Sequence, residues 1–498
     1  MEMSDNGLLS TGPKVYIHKP LLLSASIRIL ELLPSRDRDS PIHCKIREFA
    51  LTENRHSYDA LSYVWGPPTD VRPVVLDDAI LHVTVNCWSA LRHLRHKYYK
   101  RMLWVDAICI DQRNTSDAIQ ERSKQIKLMG KVYQWAKRVI IWLGPGNDAT
   151  WATLATAQAL SFLSGKRSSE ATANVETGTL SNKYYAELID MMQNPWFVRV
   201  WTIQEMALAR RRVVRRGDSE WSWLSFQMMQ HGIMTSIGLQ NWEVLERSEL
   251  TQLMFTILPS RWLTFRMKWY HKVFDRSGPS RIGRELNKGL ELKVLSSLMV
   301  HKATEAIDKV YSVYRILELM YIKIPEPDYN KSALEAYKET TRCWIRSRQD
   351  LAILLIAARP TSHGEGPSWV PDWGQDVPPN RARWLDSMAT KPLLDNLASK
   401  RHYQASKQSR AYLQKGNSIE IPGQLPVSGK LLGKVSIGVT TKNFSRDLSP
   451  ALFDAASLSE LSKDWVEAFC IWSVMVSQLT SYPNGETPIE AFYECIIG

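Results

Sequence analysis

Between residues 58 and 218, apolar runs of strand length alternate with stretches of helical period. "YDALSYVW" (58–65) reads as a short strand stopped by Gly-Pro-Pro. "NCWSALRHLRHKYY" (86–99) predicts a helix capped by Asn86, with Trp88, Leu91 and Leu94 on its apolar face. "RMLWVDAICI" (101–110) is a nearly continuous apolar run, again of strand length. "IQERSKQIKLMGKVYQWAK" (119–137) places Ile126, Met129, Tyr133 and Ala136 on one helical face, and "RVIIWLG" (138–144) is a β-branched strand. A further helix is expected with Asn194 as N-cap and Pro195 at its first position, followed by one more strand in "RRVVRRGD" (211–218). Buried strands alternating with amphipathic helices predict the α/β class: a parallel sheet flanked by helices.

The flanks read differently. "IRILELL" (27–33) and "IHCKIREFAL" (42–51) suggest paired strands, so residues 1–54 form a β-rich N-terminal extension. "PVVLDDAILHVTV" (73–85) is a hairpin turning at Asp77 and Asp78. Beyond the α/β region (55–220), residues 221–358 turn mainly helical, with "TEAIDKVYSVYRILELMYI" (304–322) and "SALEAYKETTRCWIRSR" (332–348) as the clearest helices. The Pro/Gly-rich stretch 359–380 is the linker candidate, and 381–498 reads as a mixed region, strand-like and then helical. The polar segment 164–182 reads as a loop or insertion.

Composition removes several function classes. No apolar run approaches a membrane span, and the N-terminus has neither a basic start nor an apolar core of a signal peptide. Six cysteines, none in a CxxC pair, argue against a disulfide framework or a zinc site and fit a reducing cytoplasm. The net charge of +12 invites a nucleic-acid reading, but no helix-turn-helix, zinc-finger or RNP-like pattern accompanies the basic clusters. Solvated faces, or attraction to an anionic small molecule or acidic partner, fit better. Neither a GxGxxG fingerprint nor a Walker A sequence occurs.

Candidate chemistry gathers at strand ends. Asp106 interrupts a buried run, which is costly without partners, and with Asp111 it falls near a strand's carboxyl edge, where α/β folds bind ligands. Binding a ribose hydroxyl and fixing the following loop through backbone N–H groups are equal readings of Asp106. No third acid or His is near enough in sequence to make a metal site. Cys109, alone in an apolar run, reads as core rather than nucleophile. Tyr63, Trp65 and Gly66 at a strand end offer an aromatic wall and a close backbone approach, or simply a strand exit. Glu205 is the odd acid on the apolar segment "WTIQEMALA"; it either does chemistry, pairs with Arg199 or Arg210, or faces solvent.

Three blocks, "YDALSYVWG" (58–66), "LWVDAICIDQRNTSDAIQERSKQIKLMGKVYQWAKRVIIWLGP" (103–145) and "WFVRVWTIQEMALA" (196–209), closely resemble the fungal HET (heterokaryon incompatibility) domain in sequence, order and spacing. "IDKVYSVYRIL" (307–317), "PDYNKS" (327–332) and "PSWVPDW" (367–373) resemble the region that usually follows it. The resemblance implies a role in fungal non-self recognition and programmed cell death. HET domains are in turn similar to TIR domains, some of which hydrolyse NAD+, and this implies a TIR-like core. "WTIQEMA" matches the TIR pattern of a Trp, three residues and the catalytic Glu, which places Trp201 and Glu205 in those roles. The hairpin at 73–85 and the long segment at 145–194 depart from a compact TIR fold.

The resemblance thus makes Glu205 the catalytic carboxylate, with Tyr63, Trp65, Gly66, Asp106, Asp111 and Trp201 around the ligand. Trp201 and Glu205, four apart, share a helical face. NAD+ is the implied substrate, and no cofactor or metal is required. Self-association on activation and a receptor or allelic partner protein complete the expectation; the alternative is a non-enzymatic module that assembles or docks a receptor. The ending "IEAFYECIIG" resembles an internal stretch of longer family members, so the chain is expected to stop short of their C-terminus.

Overall fold

The computed structural model describes residues 14–23, 25–51, 58–147, 187, 190–191, 193–226, 291–292, 294–349, 351–357, 366–367 and 369–375. The loop expected at 164–182, most of the linker at 359–380 and the mixed region 381–498 lie outside them.

The described strands form one nine-stranded sheet. In chain order they are β1 (Ser26–Leu32), β2 (His43–Ala50), β3 (Asp59–Tyr63), β4 (Val71–Leu76), β5 (Ala79–Thr84), β6 (Arg101–Trp104), β7 (Arg138–Trp142), β8 (Arg212–Arg216) and β9 (Ser219–Ser222). Their spatial order is β5-β4-β2-β1-β6-β3-β7-β8-β9. The parallel sheet read from the sequence is correct for the stretch β6-β3-β7-β8, where each neighbouring pair runs parallel, and β2 and β4 also pair in parallel. The whole sheet is mixed: β1 runs antiparallel to both β2 and β6, and β9 antiparallel to β8. The N-terminal strands therefore extend the same sheet, because β1 hydrogen-bonds directly to β6. All seven β1 residues are buried, as its position between two neighbours and under helices requires.

The hairpin forms as expected: Asp77 and Asp78 sit at φ 46° and 64°, the left-handed pair that a two-residue turn with the right twist demands. The first helix, α1 (Val85–Leu94), starts one residue before Asn86 and has no side-chain cap. Asn86 instead donates to the Val64 carbonyl at 2.5 Å and accepts from the Trp142 indole at 2.9 Å, bolting the end of β3 to β7. The apolar run 101–110 is not one strand. It stops at Trp104 and turns into the one-turn helix α2 (Asp106–Cys109), where the Asp106 carboxylate takes the Ala107 N–H at 2.8 Å. Then α3 (Ser116–Trp135) follows, capped by Thr115, with Met129, Val132 and Tyr133 buried.

The helix expected from Asn194 is two pieces. Asn194 caps a 3-10 turn, Pro195–Val198, and the α-helix proper, α4, runs Trp201–Leu208. The break at Arg199 and Val200 has a tertiary cause. Val200 N–H donates to Lys302 O at 2.9 Å and Lys302 N–H to Val198 O at 2.5 Å, so this backbone pairs with a distant segment. The 304–322 stretch is likewise split, into α5 (Asp308–Tyr311) and α6 (Tyr314–Leu319). α7 (Ala333–Arg348) opens on a Ser332/Glu335 capping box and closes at left-handed Gln349; α8 (Leu354–Ala357) follows.

Three apolar clusters result. One lies on the sheet, one gathers the C-terminal helices, and a smaller one groups Trp196, Phe197, Trp223 and Phe226. α4 belongs to more than one: Ile203, Ala207 and Leu208 pack into the helical cluster, and Met206 into the small aromatic one. The Arg315 side chain of α6 lies against Gly130 of α3, where a Cβ would come within 2.5 Å of it, so the absence of a side chain lets the two helices approach. Among the described residues, no helix is long and apolar enough to cross a membrane.

Candidate functional site

In the parallel stretch, chain order gives the sequence second-first-third-fourth (β6-β3-β7-β8). Open sheets of this doubly wound order bind ligands outside the strands' carboxyl ends, at the point where the winding reverses, here between β3 and β7. β3 ends there in Ser62 and Tyr63.

Ser62 ties the site together. Its hydroxyl accepts the Trp196 indole N–H at 2.7 Å and donates to the Glu205 carboxylate, so the order of donors and acceptors is fixed. Glu205 is 1% exposed. Burial is the main influence on its carboxyl and raises its pKa above the ordinary value; Arg199, Ser62 and Tyr133 pull down, and Asp106 pushes up. Asp106, 8% exposed, behaves alike. Burial raises its pKa, while Arg199, the Trp65 indole, the Ala107 N–H and Tyr63 oppose the rise. The Trp65 indole donates to Asp106 at 2.8 Å. Arg199 donates to the Tyr63 carbonyl, the residue after Ser62 on the same strand. Two buried carboxylates on different elements thus feel each other's charge, and the same Arg199 charge opposes the rise in both.

The structure gathers Glu205, Asp106, Tyr63 and Trp65 here, beside Gly66, whose φ of +83° is left-handed. Trp65 and Gly66 are exposed. Trp201 turns away: its indole donates to Asp308 of α5 at 3.2 Å, and Tyr329 donates to the other oxygen of that carboxylate at 2.7 Å. Asp111 belongs to another group. It accepts from the Arg113 guanidinium at 2.6 Å and the Arg113 N–H at 3.0 Å, with His18 at 3.7 Å. Burial pushes the Asp111 pKa up, but the Arg113 bonds outweigh it and the net shift is downward. Burial pushes the Cys109 thiol up to about 12, which leaves it a poor nucleophile. Among the described residues, no group of three His, Cys, Asp or Glu side chains is placed to hold a metal ion.

Sequence reasoning missed Ser62 and Trp196. A lone hydroxyl in "YDALSYVW" was the available signal, since a buried Ser needs a partner.

Residues 58–205 match the model of the heterokaryon incompatibility protein (HET) family. The chain is 24% identical over 418 residues to "Heterokaryon incompatibility protein 6, OR allele" of Neurospora crassa, an alignment covering 74% of this chain and 60% of that protein. The chain therefore spans less than two thirds of the curated relative it matches. No solved structure matches it significantly. A HET domain accordingly runs from Tyr58 to Glu205, and the chain is a distant homologue of the Neurospora incompatibility protein.

Proposed function

We propose that the protein acts in fungal non-self recognition and programmed cell death by hydrolysing the nicotinamide–ribose bond of NAD+, with Glu205 as the catalytic carboxylate. The observation carrying this reading is a buried acid of raised pKa beside a second one, at the carboxyl ends of parallel strands. Cleaving that bond builds positive charge on the sugar, as in glycoside hydrolysis. A carboxylate held by Ser62 in a water-poor site meets that charge without reorganising. Nicotinamide leaves as a neutral molecule from a cationic one, so one acid suffices.

Asp106 would take a ribose hydroxyl, exposed Trp65 would supply the aromatic wall, and Gly66 would let the backbone approach. Trp201 would join only after parting from Asp308. The TIR-like core of this proposal draws support from the second-first-third-fourth strand order and from a Glu on the helix after the third parallel strand. Self-association, a receptor or allelic partner and a cytoplasmic setting belong to the same proposal.

One observation favours a second reading, a non-enzymatic module that assembles or docks a receptor. Glu205 is buried and hydrogen-bonded, and Trp201 is engaged by the helical region, as in a closed structural core. The deciding experiment incubates purified protein at high concentration with NAD+ and follows nicotinamide by chromatography. Release by the wild type, lowered about a hundredfold or more in Glu205→Ala, is the expected result. Equal rates, or no release from either protein even under crowding, would shift the assignment to the interaction module.

A further inference from the structure

Arg199 is bonded at the end of β3, the strand end at which Ser62 holds Glu205 and Trp65 holds Asp106, and its charge lowers the pKa of both carboxylates. Its guanidinium is bonded to the Tyr63 carbonyl, one residue from the hydroxyl that holds Glu205 and in the residue whose ring neighbours Asp106. Its backbone is fixed from outside the HET match. Lys302 accepts from Val200 and donates to Val198, bracketing Arg199 in a short parallel bridge. A side chain anchored at its tip and clamped at its base has little freedom to leave.

We propose that Arg199 is the positioning residue of the Asp106–Glu205 pair, and that the Lys302 backbone, beyond the HET domain, holds it in place. The role deepens the NAD+ reading, since an ionised Glu205 is what that reaction uses. Arg199 works through the carboxylates: its fixed charge opposes the burial that favours their protonated form.

Other groups facing the pair do not substitute for it. Tyr133 from α3, Tyr63 from β3, Cys87 from α1 and Cys109 from α2 are neutral groups that burial holds protonated.

The test reads protonation directly. Infrared pH titration of the full chain follows the protonated-carboxyl band, assigned with Glu205→Gln and Asp106→Asn. Arg199→Gln is expected to move the midpoint upward by about one pH unit or more, and Arg199→Lys to return most of the way. An unmoved midpoint in Arg199→Gln, with near-ultraviolet dichroism intact, would overturn the proposal. Lys302→Ala is expected to leave the midpoint in place, because the contacts are made by backbone; a shift in that variant overturns the clamp. Where nicotinamide is released, the acid limb of the pH–rate profile moves up together with the infrared midpoint in Arg199→Gln. Absence of release from every variant sinks the NAD+ reading alone, and the infrared result still decides the role of Arg199.

Discussion

Two buried acids flank the single turn of α2, and their surroundings treat them oppositely. Asp106 opens the turn among indole, hydroxyl and thiol groups, and its pKa is raised. Asp111 lies just beyond the turn's end beside guanidinium groups: Arg113 grips it and Arg28 pairs with Glu121 at 2.6 Å nearby. His18, whose pKa burial lowers, places a ring nitrogen 3.7 Å away. The Asp111 pKa is lowered. Depth of burial and fixed donors act together: Asp106 lies deeper, and Asp111 has a guanidinium bonded directly to it. Asp111 sits in a direct ion pair, whereas Asp106 accepts from two neutral donors, the Trp65 indole and the Ala107 N–H; a buried carboxylate of the second kind is a candidate for a functional site.

The largest effect that would test this contrast is expected from Arg28→Met. It strips Glu121 and the carbonyls of Lys19 and Cys109 of their partner. Losing one member of a buried pair costs about 3–5 kcal/mol, read as a lower urea midpoint. A loss under about 1 kcal/mol would break the comparison. Next comes Asp111→Asn, with an expected loss of about 1–2 kcal/mol at neutral pH. The sign follows from the lowered pKa. Asp111 contributes stability above the ordinary carboxylate value of 3.8, and that contribution disappears as pH falls through the lower folded value. Wild type and variant should therefore converge in acid.

Glu205→Gln should give the smallest change, with the opposite slope. Glu205 has a folded pKa raised above the ordinary 4.5, so the folded state holds the extra proton and wild-type stability falls as pH rises through that window. Ser62, Tyr133 and Arg199 offset part of the burial penalty, which keeps the effect modest. Urea melts across pH should show the variant overtaking wild type as pH increases. Parallel curves would mean the two acids are not different in kind.

Much of the parallel stretch was legible because its signals are local, β-branched runs and the amphipathic face of α3, and so was the Asp-Asp hairpin beside it. The mixed sheet was not. Alternation marks which side chains are buried, yet nothing in "IRILELL" says that it pairs with "RMLW" seventy residues on. The same limit explains the broken helix at Arg199, whose cause is the Lys302 backbone a hundred residues away. In the site, Glu205 and Asp106 stood out as acids in apolar runs. Trp201 was read as sharing their surroundings, but Asp308 on α5 claims its indole. Helical spacing places two residues on one face without saying what each will meet.

The match to the HET family stops at Glu205, inside α4, whose remaining residues Met206, Ala207 and Leu208 are buried in neighbouring clusters. Mechanically, α4 is a beam seated in masonry, with its Gln204 side chain close against Gly130 of α3. Packed cores yield in discrete steps rather than by continuous bending. A displacement of Glu205 along α4 would therefore also disturb the packing of Ile203, Ala207 and Leu208 against the described C-terminal helices.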